Sequence, residues 1–178
     1  MVLDTKPGSA IESFGKQLRL DYQPESFLRF VHEPGSVVQL FVKEAKSSSN
    51  RHLVGYYDSD HFEKLSHDVQ QHSGQATGIF YGLNPVSPSC LDRAKNCLKP
   101  SREAKAAQNS DILRRRIMLI DIDPVREPGC SATEEEKAVA YWLGRIVCCD
   151  LRQAGWPKPV VVDSGNGFHL LYRVDLPA

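Results

Sequence analysis

In the first half of the chain, β-branched and aromatic runs alternate with stretches in which apolar residues recur three or four positions apart. The runs at residues 36–42, 52–57 and 78–82 predict strands, the first two forming a hairpin across a Ser-Ser-Ser-Asn turn at 47–50. Short helices are predicted at 24–31 and, with Asp58 or Ser59 as the cap, at 58–72. Together these elements predict an αβ module over residues 1–84.

The second half has a sharper pattern of strands. Residues 115–123 form a near-continuous apolar run ended by Pro124, which predicts a strand inside a sheet. Residues 159–163 and 168–174 predict two further strands, joined by a Ser-Gly-Asn-Gly turn. A helix lies between the first of these strands and the other two. This order of elements predicts an α+β fold whose sheet is mixed or antiparallel.

That helix is predicted between Ser131 and about Ala154. Ser131 and Glu134 have the spacing of a capping box, in which each side chain bonds the other residue's backbone amide. Apolar residues follow at helical spacing and are expected to face the core: Val139, Trp142, Leu143, Ile146 and Val147.

Composition excludes several classes of protein. The 178 residues are 41% hydrophobic and 25% charged, within the range of globular domains. No apolar run approaches the roughly 20 residues that cross a bilayer, and the first ten residues lack the apolar core of a signal peptide. Five cysteines without a Cys-x-x-Cys pair disfavour a disulfide framework or a zinc ribbon. The expected protein is cytoplasmic, reduced and free of the membrane.

Charge is balanced overall but not locally, since 22 basic residues match 22 acidic ones. Residues 91–118 contain eight basic and three acidic side chains. Much of this excess lies in 85–110, which has few large apolar residues and predicts a long basic loop with a short helix near 91–98. The segment is either a solvated loop or a surface that contacts phosphates.

Asp121 and Asp123 are the first candidate functional residues. Side chains two apart on a strand share a face, so both carboxylates should point away from the side on which Ile120 and Ile122 pack. Two carboxylates can converge on a divalent cation such as Mg²⁺, or they can simply lie at the solvated end of the strand.

The strand after the Ser-Gly-Asn-Gly turn carries the second set of candidate functional residues. His169, Leu171 and Arg173 should share one face, with Phe168, Leu170, Tyr172 and Val174 on the buried face. An imidazole and a guanidinium suit a polyphosphate, although the same pattern fits an ordinary hairpin with a polar outer face.

Taken together, the Asp-Ile-Asp-Pro strand, the capped helix and the Ser-Gly-Asn-Gly-Phe-His strand resemble the archaeo-eukaryotic primase superfamily, most closely its primase–polymerase branch. The resemblance covers residues 112–177 and weakens around 81–85. It implies an RRM-like catalytic sheet with helices packed on one face, formed by 111–178. It also implies that Asp121 and Asp123 hold two Mg²⁺ or Mn²⁺ ions and that His169 contacts the nucleotide phosphates. Ser164, Asn166 and Arg173 are then the other candidate nucleotide-binding residues.

The resemblance implies a third acidic residue on a later strand. Asp175 is the only acid after His169 and lies close to it, so we expect a catalytic module that is truncated at its carboxyl end. Expected partners are a single-stranded DNA template, NTP or dNTP, and a helicase that is fused or encoded in the same operon. The candidate template-binding residues are Arg114, Arg115 and Arg116, which could equally flank the sheet without binding.

The leading hypothesis is therefore an enzyme, a primase–polymerase that transfers nucleotides from NTP or dNTP to a primer. The alternative is an RRM-like replication-initiator module that binds nucleic acid without catalysis. A nicking nuclease is least favoured, because it needs two histidines two apart and no two of the six are.

Overall fold

The computed structural model describes residues 24–46, 52–127 and 129–178, so the predicted turn at 47–50 lies outside the described residues. Helices and two antiparallel sheets give an α+β fold, as predicted. The described chain divides into two compact units. The first contains residues 24–116 and Asp175–Ala178, and the second contains Ile117–Val174.

The first unit is built on a four-stranded sheet whose order is β3-β1-β2-β4. The strands are β1 (Val37–Lys43), β2 (His52–Asp58), β3 (Gly78–Tyr81) and β4 (Leu98–Pro100), and every pairing is antiparallel. The predicted β1–β2 hairpin and third strand are confirmed. Helices α1 (Pro24–Val31) and α2 (Phe62–His72) contribute Leu28, Phe62 and Leu65 to a core with the sheet.

The helix predicted at 58–72 begins in a different geometry. Residues Ser59–His61 form a 3₁₀ turn, and α2 proper starts at Phe62. Asp58 is the cap, as predicted, because its carboxylate accepts a hydrogen bond from the backbone amide of Asp60.

The short helix predicted near 91–98 is wrong, because the segment forms a 3₁₀ turn and a short strand there. Two 3₁₀ turns, Pro88–Asp92 and Asn109–Asp111, bracket strand β4. Cys90, Ala94 and Ala104 are fully buried against Tyr56. The pattern was missed because these buried side chains are small, and burial of small residues leaves little trace in apolar periodicity.

Arg93 and Asp111 hold this segment in place through a two-pronged ion pair. Two guanidinium nitrogens of Arg93 lie 2.8 Å from the two Asp111 carboxylate oxygens, and the guanidinium also lies over the Tyr56 ring. Hydrogen bonds from Arg93 and then from the amide of Gln108 lower the pKa of Asp111 to about 2.

We expect Arg93→Gln to raise the pKa of Asp111 toward its ordinary value near 3.8. Because the folded pKa is lowered, the pair stabilises the fold above pH 4, and this contribution is lost as the pH falls from about 4 to 2. Carboxyl chemical shifts followed from pH 1.5 to 6 measure the change directly. Arg102→Gln is the control, because Arg102 contacts Glu103 instead. An unchanged Asp111 titration in Arg93→Gln would refute the assignment.

The second sheet has three strands in the order β5-β7-β6. They are β5 (Arg114–Ile122), β6 (Val160–Asp163) and β7 (Phe168–Pro177), with β6 and β7 antiparallel. We expected the 115–123 run to lie inside a sheet, and this expectation is wrong. Among the described strands of this sheet, β5 is at the edge and β7 is central. Leu119 is accordingly 42% exposed, although it sits in the middle of the apolar run.

Helix α3 (Glu134–Gln153) covers one face of this sheet. Its cap is Thr133 with Glu136, two residues later than the predicted pair. The observed pair has the same spacing as the predicted one, and the amide of Ala132, just before the cap, donates to Asn166 Oδ1.

The side of α3 that packs on the sheet also differs from the prediction. Val139, Trp142, Leu143 and Ile146 are between 50 and 67% exposed, and only Val147 of the predicted set contacts the core. The buried residues are Ala140, Tyr141 and Gly144. Small residues let the helix axis approach the sheet, and a Cβ at Gly144 would lie 3.4 Å from Ile122 Cδ1. Ile120 and Ile122 pack against this helix, as predicted.

Within the described ranges, no helix combines the length and the apolar character needed to cross a bilayer.

Candidate functional site

Asp121 and His169 meet on the sheet face opposite α3. Asp121 is exposed near the end of β5, and its buried neighbour Ile122 faces the helix. His169 is the second residue of β7, the strand next to β5. His169 Nε2 lies 3.3 Å from Asp121 Oδ1, and the side chains are 36% and 56% exposed. An acid and an imidazole from adjacent strands therefore share a solvent-accessible surface.

Asp123 lies one residue beyond the end of β5, against the start of β7. An added Cβ at Gly167 would lie 2.1 Å from the carbonyl oxygen of Ile122 and 2.7 Å from Asp123 Oδ1. Only glycine permits this approach, because any side chain at 167 would collide with the backbone. Gly167 thus places the Asp123 carboxylate beside the strand that carries His169.

Arg126 is the basic neighbour of Asp123. Its Nη2 lies 3.8 Å from Asp123 Oδ2, and its Nη1 donates to the carbonyl of Cys130 at 2.7 Å. Its Nε is buried and has no hydrogen-bond partner within the described residues. A half-exposed carboxylate and a guanidinium with an unused donor are therefore side by side.

The Ser-Gly-Asn-Gly turn is held by its own polar groups. Ser164 Oγ accepts from the amide of Gly167 at 2.9 Å, and the amide of Ser164 donates to the carbonyl of Gly167. Asn166 Oδ1 accepts from the amide of Ala132 at 3.0 Å, which ties the turn to the start of α3. Gly165 has a φ of +92°, which suits glycine. The contacts seen for Ser164 and Asn166 are thus structural, and nucleotide binding by them stays a prediction.

Asp163 and Lys137 form a second charged pair beside this turn. Lys137 Nζ lies 3.1 Å from Asp163 Oδ2, and Asp163 Oδ1 accepts from the amide of Gly165. This pair fixes the turn to the first part of α3, because Lys137 belongs to that helix.

Arg173 is exposed on β7, on the same face as His169 by strand alternation. Leu171 lies between them on this face, as the alternation predicts, and is only 4% exposed. Phe168, Leu170 and Tyr172 are buried toward α3, as predicted.

The three arginines predicted to bind template have different surroundings. Arg114 is paired with Asp175, and Arg116 Nη1 lies 2.6 Å from Glu33 Oε1. Arg115 is exposed. Two of the three guanidiniums are thus engaged with carboxylates of the chain, and Asp175 is engaged with one of them.

The carboxylates of this face can supply only part of the coordination shell of a divalent cation. No group of three or more His, Cys, Asp or Glu side chains in residues 24–46, 52–127 and 129–178 is arranged to hold a metal ion. Mg²⁺ commonly takes only one or two carboxylates and completes its shell with water and substrate phosphates. Asp121 and Asp123, both about half exposed, fit that mode, in which most of the ligands come from outside the chain.

Arg126 and Gly167 are site residues that the sequence patterns did not single out. Arg126 follows Pro124 outside any periodic element, so no spacing connects it with Asp123. Gly167 resembled an ordinary turn glycine, and its role depends on how β5 and β7 pair.

Comparison with known proteins adds no relative. No protein-family model, no curated protein and no solved structure matches this chain.

Proposed function

We propose that this protein is a primase–polymerase, an enzyme that adds nucleotides to a primer on a single-stranded DNA template in a reaction that requires Mg²⁺ or Mn²⁺. The observation that carries the proposal is the meeting of Asp121 and His169, 3.3 Å apart on adjacent strands, with Asp123 next along the chain. This is the set of side chains on which the resemblance to archaeo-eukaryotic primases depends.

Asp121 and Asp123 are the residues that would hold the cations. Their exposed oxygens leave room for water and phosphate ligands around a shared ion. Bound cations would supply a lowered pKa at the primer 3′-hydroxyl and neutralisation of the triphosphate charge. The role of the two carboxylates is to fix the position of that charge on the open face of the sheet.

In this proposal His169 contacts the triphosphate. Its imidazole stands beside Asp121, and a protonated ring would donate to a phosphate oxygen while the carboxylate orients it. Arg126 can add positive charge next to Asp123, because its Nη2 lies 3.8 Å from Asp123 Oδ2. Arg173 extends the same positive face along β7.

The test is extension of a labelled DNA primer on a template with a single-stranded overhang. We expect this chain to add nucleotides from dNTP or NTP when Mn²⁺ or Mg²⁺ is present and to add none in EDTA. A parallel reaction without template separates template-directed addition from terminal transfer. Absence of any addition across both metals and both nucleotide types would contradict the proposal for this polypeptide.

The second candidate is a nucleic-acid-binding module of the replication-initiator kind without catalysis. Two observations favour it. Among the described residues the site has two carboxylates rather than three suitable metal ligands, and the hydrogen bonds of Ser164 and Asn166 hold the turn itself. A fluorescent oligonucleotide separates the two candidates. Binding that is equal in EDTA and in Mn²⁺, with no primer extension, supports the binding module.

A further inference from the structure

A cavity of about 290 Å³ opens in the second unit between helix α3 and strands β6 and β7. It lies on the helix side of the sheet, because its floor includes Phe168 and Leu170, whose side chains pack toward α3. Asp121 and His169 are on the other face, so the cavity is separate from the proposed nucleotide site.

The floor of the cavity is apolar and well buried. Phe168, Leu170 and Tyr141 are each 7% exposed or less, and Val161 and Pro159 form the wall on the β6 side. Gly144, which carries no side chain, lines the cavity on the helix side. An apolar body that entered here would be removed from water on several sides.

The rim of the cavity is positively charged. Arg145 and Arg152 come from α3 and Lys158 from the loop that follows it, and all three are exposed. No aspartate or glutamate lines the cavity. In the part of the chain that the structure describes, none of the three cations forms an ion pair, and Arg145 donates only to the Tyr141 hydroxyl at 3.5 Å. Three unpaired cations around one apolar opening favour an anion.

We propose that this cavity binds a small amphipathic anion, a molecule with an apolar body of about eight carbons and a carboxylate or phosphate head group. The apolar body would contact Phe168 and Leu170, and the head group would lie at the rim between Arg152 and Lys158. The volume is at the lower end of ligand pockets, which span roughly 300 to 1,000 Å³, so the occupant is a small molecule. This proposal does not depend on the polymerase activity.

The experiment measures binding of octanoate, octyl phosphate and neutral 1-octanol to this chain by calorimetry and by amide chemical shifts. We expect at least one of the two anions to bind at least tenfold more tightly than 1-octanol. The tighter of the two identifies the head group. The largest shift changes should fall on cavity residues such as Gly144, Cys149 and Val161.

Paired charge variants test the rim. Arg152→Gln with Lys158→Gln should weaken binding of the anion at least tenfold and leave binding of 1-octanol unchanged. Lys95→Gln with Arg102→Gln removes the same charge from the first unit and should change neither. All four side chains are exposed, so the variants should fold.

Three results would overturn the proposal. The first is binding of 1-octanol that equals that of both anions, and the second is anion binding that survives in Arg152→Gln with Lys158→Gln. The third is a set of shift changes confined to the exposed outer side of α3 at Val139, Leu143 and Ile146, which would identify an unspecific apolar patch instead.

Discussion

Replacement of Asp121 and Asp123 by asparagine in one variant is expected to slow metal-dependent primer extension at least about a thousand-fold. This expectation rests on the proposed function. An amide has almost the size of a carboxylate but carries no charge, so the exposed face would lose the two groups that would hold the cations. Stabilisation of transition-state charge by a bound metal is worth several kcal/mol, which corresponds to about three orders of magnitude in rate. Single-turnover extension with Mn²⁺ measures the loss.

The matched control is Asp92→Asn with Asp150→Asn. Both aspartates are exposed, and the double change removes the same charge without touching the sheet face that carries His169. The control should extend primers at the parental rate. Full activity in the Asp121→Asn, Asp123→Asn variant would show that these carboxylates hold no catalytic metal and would remove the basis of the proposal.

Gly167→Ala is expected to destabilise the second unit by about 2 kcal/mol or more. The added methyl group would lie 2.1 Å from the Ile122 carbonyl oxygen, so backbone rather than a flexible side chain must move. Insertion of a methyl group into a well-packed site typically costs about 1–3 kcal/mol, and a backbone collision belongs at the upper end of that range. The shift would also carry Asp123 away from β7.

Urea unfolding followed by tryptophan fluorescence measures this effect in the right unit, because Trp142 and Trp156 both belong to the second unit. Gly144→Ala is the control in the same unit. A Cβ at this helical position would meet only the end of the Ile122 side chain, at 3.4 Å, so its effect on the free energy of unfolding should stay within about 1 kcal/mol. An unchanged transition in Gly167→Ala would contradict the close approach of β5 and β7.

Local patterns predicted most elements because helices and strands differ strongly in the spacing of their apolar residues. Among the described elements, strands β1, β2, β3, β6 and β7 and helices α1, α2 and α3 begin or end within a few residues of their predicted limits. The prediction failed around β4, which has only three residues and is flanked by buried Cys90, Ala94 and Ala104. Small side chains bury little area, so the hydrophobic signal was too weak to detect.

The candidate site was partly predictable for the same reason. Alternation along β5 places Asp121 opposite Ile122, whatever the neighbouring strand is. Arg126 could not be found this way because it lies outside any periodic element, and Gly167 because it meets Asp123 only where β5 and β7 lie side by side.

The sequence by itself determined which residues lie on strands and helices and which face of β5 is polar, because both follow from periodicity and short-range sterics. The tertiary structure alone decided that β7 lies between β5 and β6, so that His169 reaches Asp121. It also decided that α3 packs through Ala140 and Gly144 rather than through its larger apolar side chains. Both outcomes depend on how closely two backbones can approach, and that distance is a property of the partner surface as well as of the local sequence.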